Sequence, residues 1–144
     1  MSGAGGETFV TEIKVRFGDV DHAQIVYYPR YFHFFHVAFE DLFADAFGST
    51  YQQVVIDEHV GFPAVHVECD YRAPSRFGDV LRMEITCVRI GTRSMTLKYR
   101  AVRAADLVEC AVGKITTACV DMRTFTAMDI PPRYRAFFTR YLEV

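Results

Sequence analysis

Alternating apolar and polar positions predict one strand near the start of the chain and four more in its second half. Residues 8 to 16, TFVTEIKVR, alternate well enough for a first strand. The alternation returns in VHVECDY, LRMEITC and MTLKYRA, and a last long strand is predicted over residues 107 to 120. Since side chains at every second position share one face of a strand, three of the later strands are predicted to have one apolar and one polar face.

One long helical pattern separates the first strand from the others. It runs through PRYFHFFHVAFEDLFADAF, where Pro29 suits the first helical position because its missing N–H has no intrahelical acceptor there. Gly48 marks the predicted end. Apolar residues recur at three- and four-residue spacing, namely Phe32, Phe35, Phe39, Leu42, Phe43 and Phe47. Phe34 and Val37 widen the apolar surface, so protein must cover most of this helix.

The order of elements predicts an α+β fold. The chain is predicted to form one strand, one long helix and then four strands. Because short turns join these four strands, neighbouring strands are expected to be antiparallel. The simplest packing is a curved antiparallel sheet of five strands wrapped around the helix. TYQQVVIDEHV and the tail PPRYRAFFTRYL are predicted to form shorter helical segments. A sheet on one side of so apolar a helix leaves apolar surface, so we expect a symmetric oligomer.

Length, charge and cysteine content narrow the classes of function. The 144 residues contain no repeat or linker, which predicts a single domain, 1–144, with residues 1–7 as a flexible leader. A net charge of −2 with interspersed signs provides no footprint for nucleic acid and no basic stripe for a membrane surface. No signal peptide or membrane-spanning stretch is recognisable, which favours a cytoplasmic protein.

The cysteines indicate a reducing compartment. Their spacing is neither that of a CxxC zinc site nor that of a disulfide scaffold. Each lies in an apolar strand-like run, where a free thiol behaves as a small buried hydrophobe. The four are Cys69, Cys87, Cys110 and Cys119.

Two aspartates precede the long helix, and the residues alone leave two interpretations open. A helix start near Tyr28 leaves amides without acceptors, which suits an oxygen that gains negative charge. A carboxylate from Asp21 folding back beside these amides supplies the base or nucleophile that acyl transfer requires. Alternatively, Asp19 and Asp21 are Asx-turn residues, which is the commoner role of Asp in turns.

Other titratable residues carry weaker signals. His22 has no nucleophile motif to pair with, so a loop histidine is favoured over a triad member. His33 and His36 share a helix face with Glu40 or Asp41, but the remaining ligands of a closed metal site are missing. No metal or cofactor is therefore predicted, and Glu40 stays a second candidate for a general base.

Two surface sets have both an ordinary and a functional interpretation. One polar strand face is expected to be solvated or to contact another subunit, and it consists of His66, Glu68 and Asp70. The second set consists of exposed cations on or near adjoining strands. They are either ordinary sheet surface or a binding site for a phosphate, that of a nucleotide or one linked to pantetheine. These cations are Arg89, Arg93, Lys98 and Arg100.

The stretch VRFGDVDHAQIVYYPRYFHFF resembles the signature of hotdog-fold acyl-CoA thioesterases of the 4-hydroxybenzoyl-CoA thioesterase family. It runs from an apolar strand through a D-x-D turn and an aromatic pair to a helix started by proline. The later CDYRAPSRFGDVLRMEI is similar to the family's third-strand region. The resemblance covers residues from about Thr8 to Val120 and implies a hotdog fold with active sites at a dimer interface, often within tetramers.

The resemblance also implies roles for particular residues. Asp21 matches the catalytic aspartate, and Tyr28 matches the residue whose backbone N–H polarises the thioester carbonyl. Arg93 falls where members often carry a basic residue near the CoA phosphates. A catalytic glutamate on the helix belongs to a different hotdog subgroup that lacks the D-x-D turn. Glu40 is therefore the second choice for the general base, after Asp21.

Two positions depart from the family pattern. Gln24 stands where the family often has Gly, and His22 stands where it often has Pro or Ala. An ionisable neighbour is able to tune the pKa of Asp21 or to bond to substrate. His22, Gln24 and Tyr27 are therefore expected to contact substrate.

The leading hypothesis is a thioesterase that hydrolyses an aromatic or short-chain acyl-CoA as a homodimer or homotetramer. Asp21 acts either as a nucleophile or as a base for water, and the sequence does not choose between them. A non-catalytic module that binds acyl-CoA or an acyl-carrier protein is the alternative. A hydratase or dehydratase is a poor match because His22 lies directly beside Asp21.

Overall fold

The computed structural model describes residues 5–144 and confirms an α+β hotdog fold in which a five-stranded antiparallel sheet packs on one long helix. Across this sheet the strand order is β1-β4-β5-β6-β3. The elements are β1 (Phe9–Lys14), α1 (Arg30–Leu42), α2 (Tyr51–Ile56), β2 (Val60–Gly61), β3 (Ala64–Tyr71), β4 (Val80–Ile90), β5 (Ser94–Arg103), β6 (Glu109–Ala118), β7 (Val120–Asp121), β8 (Thr126–Ala127) and α3 (Pro132–Thr139).

A second, small sheet in the order β2-β7-β8 has no counterpart in the sequence prediction. Each of its strands has two residues, which is too short for an alternating pattern to be recognised. The two short helical segments that were predicted form α2 and α3. Thr50 caps α2, because its hydroxyl accepts a hydrogen bond from the Gln53 amide at 3.1 Å.

The long helix begins one residue later than predicted. Pro29 is the N-cap rather than the first helical residue, and Arg30 opens α1. The helix continues as a π-helical turn over Phe43–Phe47 and ends at Gly48, whose φ of 89° lies in the left-handed region that favours glycine.

Close packing of α1 on the sheet depends on Gly113 of β6. The ring of Phe35 stacks on Tyr99 with a centroid separation of 5.2 Å. A Cβ atom at Gly113 would lie 2.4 Å from the Phe35 ring, so only glycine fits there. The helix therefore lies directly against the centre of the sheet.

The edge strand β3 is far more exposed than its alternating pattern suggests. Val65, Val67 and Tyr71 share the apolar face, as predicted, yet their exposed fractions are 63%, 48% and 45%. The physical reason is their position: β3 pairs only with β6, and its other edge has no neighbouring strand among residues 5–144.

The first described residues are anchored to the end of the chain. The amides of Gly6 and Glu7 donate to the carbonyls of Leu142 and Arg140 at 2.9 and 3.0 Å. Glu7 also pairs with the Arg140 guanidinium. The flexible leader predicted over residues 1–7 is thus held at two of its members, and residues 1–4 lie outside the described part of the chain.

All four cysteines are free thiols. Cys87, Cys110 and Cys119 are fully buried, as predicted, whereas Cys69 on the edge strand is half-buried. Within residues 5–144, no helix has the length and apolar content needed to cross a membrane.

Candidate active site

Asp19 braces the loop between β1 and α1. Its side chain is buried, and Oδ1 accepts hydrogen bonds from Arg30 Nε and Nη2 at 3.0 and 2.8 Å. Oδ2 accepts from the Arg16 amide at 2.8 Å, and the Asp19 carbonyl accepts from the Tyr27 amide at 2.9 Å. Four bonds thus hold this residue to both ends of the loop, which is a structural role but not the Asx turn weighed from the sequence, because the Asp21 amide donates to the Ile25 carbonyl instead.

Asp21 is exposed, and one of its two carboxylate oxygens forms the turn that the sequence offered as one alternative. Oδ1 accepts from the Ala23 amide at 2.8 Å, which is an Asx turn. Oδ2 forms no hydrogen bond with the residues that the structure describes. The Gln24 amide donates to the Asp21 carbonyl at 2.8 Å, and Gln24 itself has a φ of 67°. Asp21 is therefore fixed through one oxygen while the other faces solvent.

An open hollow of about 360 Å³ lies beside this carboxylate. Its walls are Phe17, Val20, Asp21, Gln24, Arg76 and Phe77. Phe17 and Phe77 are 78% and 60% exposed, and their rings meet edge to face at 5.8 Å. Large exposed aromatics next to one cation are typical of a binding surface rather than of a solvated loop.

The loop that carries Arg76 and Phe77 is bonded to the segment between Asp21 and α1 and to the first turn of α1. The Val26 amide donates to the Ser75 carbonyl at 2.8 Å. The Tyr31 and Ser75 hydroxyls share a buried hydrogen bond of 2.8 Å, and burial raises the pKa of Tyr31 to about 12. Arg76 lies in the stretch that resembles the family's third-strand region, and nothing in the pattern of that stretch marks it as a site residue.

Of the backbone amides predicted to form a donor site at the start of α1, one has no acceptor within residues 5–144. The Arg30 amide donates to the Tyr27 carbonyl at 2.8 Å, and the Tyr31 amide donates to the Tyr28 carbonyl at 3.2 Å. The Tyr28 N–H has no acceptor within residues 5–144. A free N–H at the positive end of a helix is suited to bind an oxygen that gains charge.

Aromatic side chains surround this helix start. The Tyr28 ring meets Tyr71 edge to face at 5.8 Å, and the Tyr71 hydroxyl donates to the Tyr28 carbonyl at 3.3 Å. Tyr27 is half exposed, with its ring 5.5 Å from that of Tyr28. The start of α1 is thereby joined to the carboxyl end of β3.

A larger cavity of about 450 Å³ lies between α1, β3 and the centre of the sheet. Aromatic rings dominate its walls, and one wall position is Thr117. The cavity is lined by Phe32, His36, Phe39, Tyr51, Phe62, Pro63, Ala64, Val67, Tyr99, Ile115 and Thr117. It belongs to the Ala64 end of β3, whereas the Asp21 loop lies at the Tyr71 end.

Of the remaining predicted residues, His22 lies beside Asp21, whereas Arg93 lies apart from it. His22 is exposed on the same turn. Arg93 lies in the β4–β5 turn, at the opposite end of β4 from Arg76, and its Nε donates to Asp129 Oδ1 at 2.8 Å. His36 Nε2 pairs with Glu40 Oε2 at 2.8 Å, which occupies both residues on the helix surface.

Two of the sheet cations already pair with carboxylates. The histidines of the long helix do not form a metal site in the part of the chain that the structure describes. Lys98 pairs with Glu143 at 2.6 Å, and Arg100 pairs with Glu84 and Glu109 at 2.5 and 2.7 Å. In the described part of the chain, no group of three or more His, Cys, Asp or Glu side chains is placed to hold a metal ion.

Comparison with known proteins decides the family. Residues 15–138 match the family model of the thioesterase-like superfamily. The chain belongs to this superfamily. The match confirms the family and the enzyme class, a thioester hydrolase, that the D-x-D segment indicated.

Individual relatives support the assignment over most of the chain. A 1,4-dihydroxy-2-naphthoyl-CoA hydrolase of Synechococcus elongatus is 30% identical over 120 residues, which is 83% of this chain and 86% of the relative. The acyl-CoA thioesterase YbgC of Haemophilus influenzae is 24% identical and covers 90% of this chain and 93% of its own. A thioesterase superfamily protein of Jannaschia sp. CCS1 has a crystal structure with a TM-score of 0.89 and 25% identity, covering 100% and 99% of the two chains.

Proposed function

We propose that this protein hydrolyses an aromatic or short-chain acyl-CoA to the free acid and CoA. One observation carries the proposal: the free oxygen of Asp21 and the unpartnered amide of Tyr28 belong to one short loop whose two ends are held by Asp19. Acyl transfer needs this combination of a carboxylate and an oxyanion donor. The names of the relatives, which include an aroyl-CoA hydrolase, agree with an aromatic acyl group.

The proposed chemistry follows from these two groups. The thioester oxygen accepts a hydrogen bond from the Tyr28 N–H, which stabilises the negative charge that develops on it. Asp21 then either attacks the carbonyl carbon, releasing the CoA thiolate and leaving a mixed anhydride for water to cleave, or removes a proton from the attacking water. Both routes consume one water and yield one carboxylic acid and one thiol.

The surface beside Asp21 suits the CoA part of the substrate. Phe17 and Phe77 offer apolar area to the pantetheine arm, and Arg76 supplies a cation that no described carboxylate neutralises. Arg93 remains a candidate for phosphate binding, although its pairing with Asp129 has to be broken or shared.

A homodimer formed through β3 would complete the site. The free edge of β3 exposes backbone groups together with Val65 and Val67, and a second copy of the strand would cover both. Antiparallel pairing sets the Tyr71 end of one strand beside the Ala64 end of the other. The Asp21 loop of one protomer would then face the aromatic cavity of its partner. A homotetramer requires a further contact between such dimers.

The test is hydrolysis of a panel of CoA esters, with benzoyl-type, short-chain and long-chain members, by the wild type and by Asp21→Asn. We expect turnover of benzoyl-type or short-chain esters and a decrease of about 100-fold or more in kcat for Asp21→Asn. Asp45→Asn, an exposed change at the far end of the helix, is the control and should retain full activity. Full activity in Asp21→Asn would reject the assignment. Saturable binding without turnover of any ester would favour the binding module instead.

A further inference from the structure

One buried side-chain polar atom in the described part of the chain has no hydrogen-bond partner, and it belongs to a residue in the wall of the aromatic cavity. Thr117 is 6% exposed, and its Oγ1 is both buried and unbonded. Buried hydroxyls in proteins are nearly always bonded, because burial without a partner opposes folding. Valine has almost the same shape and would fill this position without an unpaired hydroxyl.

The neighbouring hydroxyl on the same strand shows the ordinary arrangement. Thr116 faces the opposite side of β6, and its Oγ1 shares a hydrogen bond of 2.8 Å with Thr96 Oγ1. The two adjacent threonines therefore differ in one respect: Thr116 is bonded within the sheet, whereas Thr117 is not bonded and adjoins an empty space large enough for an aromatic ring.

We propose that Thr117 is a specificity-determining residue that binds a neutral hydrogen-bonding substituent, a hydroxyl or a carbonyl, on an aromatic acyl group held in this cavity. The inference rests on the proposed function, since it assigns the acyl subsite of the same reaction. Rotation about χ1 by about 120° carries Oγ1 to the place of the methyl group, so that Oγ1 turns from the wall into the cavity when a partner arrives. The substituent then satisfies a hydroxyl that the ligand-free fold leaves unpaired.

The walls explain why the substituent is neutral and why the acyl group is flat. Rings of Phe32, Phe39 and Phe62 line the space, and their faces suit an aromatic ring. Burial raises the pKa of Tyr51 and of Tyr99 above the usual value, so both phenols stay protonated at neutral pH. The other ionisable side chain of this wall, His36, already pairs with Glu40 at 2.8 Å, so a charged substituent beside Thr117 would meet no unpaired counter-ion.

The experiment measures binding without turnover. Non-hydrolysable thioether analogues of CoA carry either a plain phenyl ketone or one of its 2-, 3- and 4-hydroxy isomers, and isothermal titration gives their dissociation constants. We expect the wild type to prefer at least one hydroxylated isomer over the plain ring. Thr117→Val should reduce this preference about threefold to tenfold, the effect of one neutral hydrogen bond, while affinity for the plain ring is retained.

Two further variants test whether the effect belongs to the hydroxyl. Thr117→Ser keeps the hydroxyl and should keep the preference. Thr116→Val removes the adjacent hydroxyl on the other face and should leave the preference unchanged. A ratio unaffected by Thr117→Val would overturn the proposal, as would a wild type that binds the plain ring best.

Thermal unfolding provides a second readout. Thr117→Val removes an unsatisfied hydroxyl, so its Tm should equal or exceed that of the wild type; a clear decrease would show that the hydroxyl already has a partner and would overturn the premise. The titrations need no catalysis, so they test the subsite separately from the hydrolase. If no ester of the panel is hydrolysed but the binding preference depends on Thr117, the proposed hydrolase is rejected and the proposed subsite stands. If esters are hydrolysed but Thr117→Val leaves the preference unchanged, the subsite is rejected and the hydrolase stands.

Discussion

Arg30 binds Asp19 through two donors on one carboxylate oxygen, with Nε and Nη2 at 3.0 and 2.8 Å. The pair joins the first turn of α1 to the loop before it, and the Asp19 carbonyl also holds the Tyr27 amide. Asp19 is therefore a structural residue, whereas the exposed Asp21 keeps one carboxylate oxygen without a hydrogen bond to the described residues. Because Asp19 holds the loop, it also fixes the position of Asp21.

Arg30→Ala should lower the free energy of unfolding by about 1–3 kcal/mol, because Asp19 would remain buried without its charged partner. Chemical denaturation measures this change. We also expect a lower kcat with little change in the affinity for CoA, since the Asp21 loop loses its brace. Arg30→Lys keeps the charge but not the paired donors, so its stability and kcat should lie between those of the wild type and those of Arg30→Ala. Unchanged stability in Arg30→Ala would contradict this role.

Tyr28→Phe should leave kcat/KM within about threefold of the wild type, because the backbone N–H rather than the phenol is assigned to the thioester oxygen. Steady-state kinetics on the best ester of the panel checks this. Tyr28→Ala also keeps the N–H and should lose far less activity than Asp21→Asn. If Tyr28→Phe were as inactive as Asp21→Asn, the side chain would have to take part in the reaction.

Gln24→Gly should raise KM with little effect on kcat, since the Gln24 side chain lines the hollow but the turn that holds Asp21 uses backbone amides. Stability should change by less than about 1 kcal/mol, because relief of the positive φ is offset by the greater freedom of glycine in the unfolded chain. Gln24→Asn keeps the amide group and serves as the control. A tenfold loss of kcat in Gln24→Gly would contradict the assignment.

Gly113→Ala should destabilise the fold by about 1–3 kcal/mol, because the added Cβ meets the Phe35 ring at 2.4 Å in a tightly packed core. Urea unfolding gives the difference. Gly18→Ala adds a methyl group to open space and should not lower stability. Equal behaviour of the two variants would show that α1 does not press on the sheet as described.

Thiol reagents at pH 8 should modify Cys69 first and the other three cysteines only after unfolding. Burial raises the pKa of Cys87 and Cys119 to about 11, so little reactive thiolate is present in either below that pH. Cys69 is half-buried, and pairing of two protomers through β3 would slow its reaction further. Cys69→Ser should abolish the fast phase. A fast phase that survives this change would contradict the burial of the remaining thiols.

Much of the fold follows from the spacing of apolar residues. The five strands and the helix from Arg30 to Gly48 were predicted because each is long enough for its period to repeat. The two-residue strands of the second sheet are too short to carry a period. The exposure of Val65 and Val67 was also beyond the pattern, since alternation shows which residues share a face but not whether anything covers that face.

The candidate site divides in a similar way. The D-x-D segment and Pro29 left Asp21 open between a turn and a catalytic role, and the resemblance to the hotdog thioesterases placed it first. Arg76 comes from a distant segment that only the fold brings beside Asp21, and Thr117 lies in the wall of a separate cavity. Which oxygen of Asp21 is free, and which hydroxyl of two adjacent threonines lacks a partner, depends on hydrogen bonds that no spacing encodes.

The bare edge of β3 has a consequence for the newly made chain. While this edge is uncovered, its unpaired backbone groups and the exposed Val65 and Val67 form a template on which an extended segment is able to add. Glu68 and Asp70 interrupt this edge with negative charge. Their repulsion opposes the stacking of many like strands, so these two carboxylates protect the edge from the growth of an aggregate.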